Sequence, residues 1–207
     1  MKKGFLISIE GIDGCGKSTL AKNLYTHLMV KNIKVLLTKE PGQTAIGEKI
    51  KKILYEEKSK LTAKTEFLLF ASSRAQHFEE VIIPHLKEGF LIISDRMGDS
   101  SLAYQGFGLD LDINTLKSIN SWAMNNIEPD LTIYIRLELS KAFTRMKKRE
   151  EKLTPFEKKD KTYWEKVIKG FETIFSNKNN VLILDGNKSP EELLTEAITD
   201  IETKIKK

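Results

Sequence analysis

The stretch Gly11-Ile12-Asp13-Gly14-Cys15-Gly16-Lys17-Ser18-Thr19 fits the pattern G-x-x-x-x-G-K-[ST]. It follows a short apolar run, Phe5 to Ile9, and leads into a segment with Leu20, Leu24 and Leu28 at helical spacing. Strand, glycine loop and helix form the setting in which this pattern binds phosphate. Glycines let backbone N–H groups turn inward, and the helix N-terminus adds a partial positive charge. Lys17 can then reach the outer phosphates, and the Ser18 hydroxyl can ligate Mg²⁺. The competing explanation is a glycine-rich turn that holds nothing. With glycine near ~7% of residues, a chance match at all four fixed positions is on the order of a per cent, so we read the stretch as a phosphate site.

Further along, an apolar run from Phe90 to Ser94 ends in Asp95-Arg96. Asp95 is placed to hold a hydrated Mg²⁺ and Arg96 to grip a phosphate; a surface ion pair is the alternative. Glu40, in Lys39-Glu40-Pro41-Gly42, follows another strand-like run. Residues just past strand ends line the ligand crevice of an open parallel sheet, although a Pro-Gly turn with a solvated acid fits equally. Phe70 and Arg74 lie one helical turn apart on an apolar face. A flat heterocycle with a carbonyl would satisfy both. So would a core Phe beside an Arg paired with an internal acid, because a buried guanidinium needs a partner. Ser100, Ser101, Ala103, Tyr104 and Gln105 make a polar helical start beside the same crevice. Between Ser140 and Trp164 charges crowd, including Arg145, Lys147, Lys148 and Arg149. A solvated face would look the same, but we read residues 141–163 as a short lid whose cations arrive on closure. His27, His77 and His85 sit in no cluster and read as surface or satisfied core residues.

These residues need elements to position them. Strand-like runs at Gly4–Ile9, Lys34–Thr38, Phe90–Ser94, Leu131–Leu137 and Val181–Leu184 alternate with helical patterns. The alternation predicts an α/β fold, a five-stranded parallel sheet with helices on both faces. A long helix is expected from Thr62 to just before Gly89, bent at Pro84, with Phe67, Ala71, Phe78 and Val81 or Ile82 inward. Ser189-Pro190-Glu191-Glu192 opens the last helix with a capping box, and Leu194, Ala197, Ile198, Ile201 and Ile205 form its stripe. At 207 residues the chain reads as one domain, residues 1–207. Its net charge of +5 comes from interspersed lysines and acids, with no continuous cationic stripe to fit a nucleic acid. Only 5 of the 34 basic residues are arginine, so each arginine is informative. The single cysteine excludes an internal disulfide framework. No stretch is long enough to span a membrane, and Glu10 ends the first apolar run too early for a signal peptide. A cytoplasmic protein without a membrane partner is expected.

Together these residues resemble bacterial-type thymidylate kinase over nearly the whole chain. The likeness rests on Glu10-Gly11-x-Asp13-Gly14-x-Gly16-Lys17-Ser18, Lys39-Glu40-Pro41-Gly42, Phe70-x-x-x-Arg74, Asp95-Arg96, Ser100-x-x-Ala103-Tyr104-Gln105 and Pro129-Asp130-Leu131-Thr132. It implies the three-layer P-loop kinase fold, ATP and Mg²⁺, dTMP as acceptor, and a homodimer. It also implies that Phe70 stacks on thymine and Arg74 bonds a thymine carbonyl. Arg96 would hold the acceptor phosphate, Tyr104 would lie against the deoxyribose, and Ser101 and Gln105 would sit near the base edge. Asp13 would contact the sugar or the acceptor-phosphate region. Where related enzymes carry a catalytic arginine in the loop this chain has Gly14, so Arg145 or Arg149 of the lid would supply that cation.

The chain departs from the family pattern at Lys39, Gln43, Met97, Arg136 and Pro155-Phe156-Glu157, the last standing where many members have Arg-Ile-Glu. Two rivals remain on the residues. A deoxynucleoside kinase of the same fold would use Glu40 as its base, and a nucleotide switch protein would take no small acceptor. Cys15 lies near a helix N-terminus and Lys17, a field that favours thiolate. A thiol-directed alkylating reagent is therefore expected to inactivate the protein, with ATP or ADP protecting.

Overall fold

The computed structural model describes residues 4–56, 61–148, 154–176 and 178–205. Its sheet contains β1 (Phe5–Glu10), β2 (Val35–Lys39), β3 (Leu91–Asp95), β4 (Leu131–Arg136) and β5 (Val181–Asp185), all parallel, in the order β2-β3-β1-β4-β5. Each strand boundary lies within a residue of the sequence expectation, because each apolar run stops where the chain leaves the core. β1 is central, with Ile7 opposite Ile93 of β3 and Leu131 of β4. Side chains alternate across it. Ile7 and Ile9 pack with Leu20 and Leu24, whereas Leu6 packs with Phe78, Ile82 and Ile92 on the other face.

The helices are α1 (Lys17–Val30), α2 (Ala45–Tyr55), α3 (Ala63–His77), α4 (Ile83–Lys87), α5 (Gly98–Ser101), α6 (Ile113–Ala123), α7 (Leu139–Lys147), α8 (Lys161–Phe175) and α9 (Pro190–Ile205). Thr62 caps α3 by accepting from the Thr65 N–H at 3.3 Å. The expected long helix is broken otherwise than at Pro84: a π-helical turn, Phe78–Ile82, joins α3 to α4. A proline lacks the N–H for the ladder and crowds the carbonyl one turn upstream, and here that upstream turn takes up the wider winding. Phe78 and Ile82 are fully buried, and Val81 is only partly so. A second π-helical turn, Leu102–Phe107, follows α5. In α9, Ser189 and Glu192 cap one another at 2.8 and 3.2 Å, as the capping box predicts. The centre of its inward stripe is Leu193, Ala197 and Ile201, with Leu194 and Ile198 flanking. Among the described residues, no helix is long and apolar enough to cross a membrane.

The carboxyl ends of β1, β2 and β3 open on one edge of the sheet. β3 lies between the other two, and the Glu40 N–H bonds the Asp95 carbonyl at 3.1 Å. Glu40 therefore approaches the glycine loop across the end of β3.

Candidate active site

β1 runs into the glycine loop, which turns into α1 at Gly16. Gly14 has φ +80°, and a Cβ there would stand 2.7 Å from the Ala142 carbonyl oxygen of α7. The left-handed backbone and the close helix explain why no side chain stands at this point of the loop. Lys17 folds back along the loop, its ammonium donating to the Ile12 carbonyl at 2.9 Å. A cavity of about 690 Å³ is walled by the loop from Asp13 to Thr19, and by Asp95, Arg96, Arg145 and Lys188 among others. Gly11 and Ile12 of the expected cradle lie beneath that wall, and Ile12 is a core residue.

Cys15 corrects the sequence reading. Its side chain is fully buried in the main core, and burial pushes the thiol above its ordinary range despite the Lys17 ammonium 3.9 Å away. The positive field acts on the loop's open side, while the thiol points to the other. Desolvation wins, and thiolate is disfavoured.

The two residues expected to hold metal meet. The Ser18 hydroxyl donates to Asp95 Oδ2 at 2.5 Å at the mouth of the cavity. A hydroxyl and a carboxylate are hard oxygen donors, and Mg²⁺ in phosphate sites uses one or two such groups beside phosphate and water. The pair fits that ion.

Arg96 has φ +76°, a sparsely populated backbone state. Its guanidinium donates to the Gly11 carbonyl (3.1 Å), Ser100 Oγ (2.9 Å), Asp13 Oδ1 (2.6 Å) and Tyr104 Oη (3.0 Å). It also lies 4.8 Å over the Tyr104 ring. The Tyr104 hydroxyl donates to Asp13 Oδ2 at 3.1 Å. Burial opposes the charge on Asp13, yet Arg96 and Lys17 hold its carboxyl below the usual range. Burial pushes the Tyr104 phenol well above its own. Beneath them lies Glu10, to which the sequence reading gave no role in the site. It accepts from the Met97 N–H (2.7 Å), Ser8 (2.8 Å) and Ser100 (2.6 Å), and so anchors the turn that carries Arg96. Burial, then the nearby Asp99 charge, push its carboxyl up to about 7. An acid closing a buried strand was the available signal.

A second cavity of about 350 Å³ shares Asp13, Ser18, Lys39, Glu40, Pro41, Tyr55 and Arg96 with the first. It is also lined by Phe70, Arg74, Ser101, Tyr104 and Gln105, and by Thr154, Phe156 and Glu157. Arg74 is 2% exposed and bound on every nitrogen: Nε to Glu40 Oε2 (2.8 Å), Nη1 to Asn120 Oδ1 (2.6 Å), and Nη2 to Ser101 Oγ (3.1 Å) and the Met97 carbonyl (3.4 Å). The internal acid of the plainer reading is thus Glu40, and Arg74 lines the cavity at the same time. Glu40 is no solvated turn residue. Burial works against its charge, but Arg74 and His77 hold its carboxyl below the usual range. His77 is buried and satisfied, between Glu40 and the Thr38 hydroxyl. Gln105 donates to Glu66 at 2.9 Å. Nothing in the sequence pointed to Asn120, whose role depends on α6 crossing α3.

The expected lid segment is described only in part. Arg149 lies outside the described residues. Arg145 belongs to α7, which is seated through buried Ala142 and Met146. Its guanidinium donates to the Cys15 carbonyl (3.5 Å) and the Gly186 carbonyl (2.9 Å). Arg145 is therefore already docked on the glycine loop in this conformation, because an amphipathic helix carries it there. Arg136 lies apart from both cavities, paired with Glu172 at 2.5 Å.

Comparison with known proteins agrees with this geometry. A family model described as thymidylate kinase matches residues 9–198. The thymidylate kinase of Thermosipho africanus is 40% identical over 196 residues, 95% of this chain and 96% of the relative. That of an Exiguobacterium species is 38% identical, covering 91% and 89%, and that of Halothermothrix orenii 37%, covering 92% and 93%. With the match running from the end of β1 through both cavities into α9, the chain belongs to the thymidylate kinase family and is a phosphotransferase.

Proposed function

We propose that the two joined cavities divide the family's reaction, phosphorylation of dTMP to dTDP with ATP, between donor and acceptor. The larger takes ATP, its phosphates against Gly14 to Thr19 and Lys17, and its far end bounded by Arg145, Lys188 and Pro190. The smaller takes dTMP, its base toward Phe70 and its phosphate toward Arg96. The observation that carries this reading is the shared wall: Asp13, Ser18 and Arg96 border both cavities, so two phosphates can meet there. Ser18 and Asp95 would hold Mg²⁺, which when bound neutralises charge on the donor phosphates.

No general base is required. A phosphate monoester has its second pKa near ~6, so the acceptor oxygen is mostly ionised at neutral pH. The chain's task is alignment and charge neutralisation. Lys17 faces the transferring group, and Arg96 is held for the acceptor by Asp13, Ser100 and Tyr104. Arg74 acts on the acceptor base chiefly by fixing the cavity wall, given how fully its donors are engaged. Glu40, with both oxygens occupied by Arg74 and His77, is poorly placed to take a proton from a sugar hydroxyl. That weighs against the deoxynucleoside kinase.

Ile46 and Ile53 of α2, Leu68 of α3 and Trp122 of α6 are exposed apolar residues on helices that pack in sequence, α2 on α3 and α3 on α6. We take this face for the homodimer contact, and light scattering would test it. A reducing, cytoplasmic setting accords with the single buried thiol. ADP release from ATP with dTMP, thymidine, dUMP or no acceptor tests the whole reading. Turnover with thymidine but not dTMP, or without any acceptor, would replace it.

A further inference from the structure

The most unexpected member of the acceptor cavity is Phe156. It comes from the turn before α8, in a stretch rich in charges, and yet it is 8% exposed. Its ring stands 5.7 Å from the Phe70 ring at 54°, and 5.4 Å from the Tyr55 ring at 71°. The turn that carries it is pinned locally: the Thr154 N–H donates to Glu157 Oε2 at 2.8 Å and the Glu157 N–H to Thr154 Oγ1 at 3.2 Å. This reciprocal bonding is a capping box laid on a turn, and it presents the intervening ring inward.

Ring separation decides what Phe156 can do. A flat base held between two aromatic faces needs contacts of ~3.5–4.0 Å on each side, so about 7–8 Å between the rings. Phe70 and Phe156 are closer than that and tilted. A pyrimidine that enters between Phe70 and Phe156 would therefore push Phe156 outward, and the displaced ring would then lie over the base.

We infer that Phe156 is a binding residue of the acceptor cavity, an aromatic cover that yields to the acceptor's pyrimidine and then shields it from water. The inference rests on the reading that dTMP occupies this cavity. Tyr55 at the end of α2 and Phe70 on α3 are the neighbours against which the ring moves.

The test is dTMP binding by calorimetry in the intact protein, with Phe156→Ala, Phe156→Leu and Phe70→Ala beside the parent. Base–aromatic stacking is of the order that gives about tenfold in affinity. Phe156→Ala should weaken dTMP about tenfold, leave a non-hydrolysable ATP analogue unchanged, and recover partly in Phe156→Leu. A reporter adds a readout that a purely structural ring would not move. In a Trp122→Phe background, which keeps Trp164, Phe156→Trp should add an emission shift with dTMP beyond any shown by the background protein, and none with the ATP analogue. If Phe70→Ala loses dTMP binding while Phe156→Ala binds like the parent, the cover is refuted and the cavity assignment stands. If neither variant changes dTMP binding, the cavity assignment itself fails. An unmoved reporter at saturating dTMP also overturns the cover. Should Phe156→Ala not fold, the reporter and Phe156→Leu decide alone.

Discussion

One contiguous stretch, Asp13 to Thr19, makes the floor of the phosphate-loop cavity, whereas the acceptor cavity draws on the ends of β1, β2 and β3, on α3 and on the turn before α8. The first works through backbone geometry and one ammonium. The second works through side chains that bind each other: Arg74 with Glu40, Asn120 and Ser101, and Arg96 with Asp13, Ser100 and Tyr104. A contiguous site can lose a side chain and keep its shape. An assembled one carries its stability and its selectivity in the same contacts, so a single substitution should disturb both.

Lys17→Ala puts that contrast to its hardest test. Phosphoryl transfer should fall by a thousandfold or more, about 4 kcal/mol of barrier, while the thermal midpoint barely moves. Comparable turnover in a folded variant would remove Lys17 from the chemistry.

Arg74→Ala should behave in the opposite way. It leaves Glu40 charged, buried and short of a partner, which costs about 3 kcal/mol of folding stability. The KM for dTMP should rise well beyond any change in the KM for ATP. Denaturant midpoints and paired kinetics report both; equal effects on the two substrates would make Arg74 a structural residue only.

Glu10 underlies the acceptor side and gives it a pH signature. Its carboxyl is raised from 4.5 in the unfolded chain to about 7 in the fold. Between those values the folded state binds more protons than the unfolded, so stability falls as pH rises. From pH 5 to pH 8 the loss from this group should be about 2–3 kcal/mol. Urea titrations at both pH values should show it, and Glu10→Gln should abolish the difference. A slope that persists in that variant would belong to another group.

Arg145→Ala is a smaller perturbation, because the guanidinium docks on two carbonyls at the rim. The KM for ATP should rise about tenfold, roughly 1.4 kcal/mol, with the KM for dTMP unchanged. An effect on kcat alone would restore the view of Arg145 as a lid cation. The smallest effect is expected at Cys15. An alkylating reagent should leave the native protein active and label it only in denaturant, because the thiol is buried on the core side of the loop. Rapid inactivation with ATP protection would reverse that placement.

What could be read from the residues alone was whatever depends on neighbours in the chain. The glycine loop, the five strands and the capping box of α9 are each set by a contiguous run whose local preferences agree, so they stand where the sequence places them. The start of α3 at Thr62 is of the same kind. Side-chain partners were another matter. Phe70 and Arg74 are one turn apart, but whether Arg74 meets an acid was decided by Glu40 arriving from the end of β2 and Asn120 from α6. Phe156 read only as part of a departure from the family pattern, and its packing against Tyr55 and Phe70 came from the fold. Cys15 sits beside Lys17 in sequence, yet the fold turns its thiol into the core, and desolvation then outweighs the field of the helix. Local geometry is dictated by backbone preference and apolar period, which the sequence carries directly. Partnership and burial come from which segments the sheet order brings together, and only the tertiary structure holds that information.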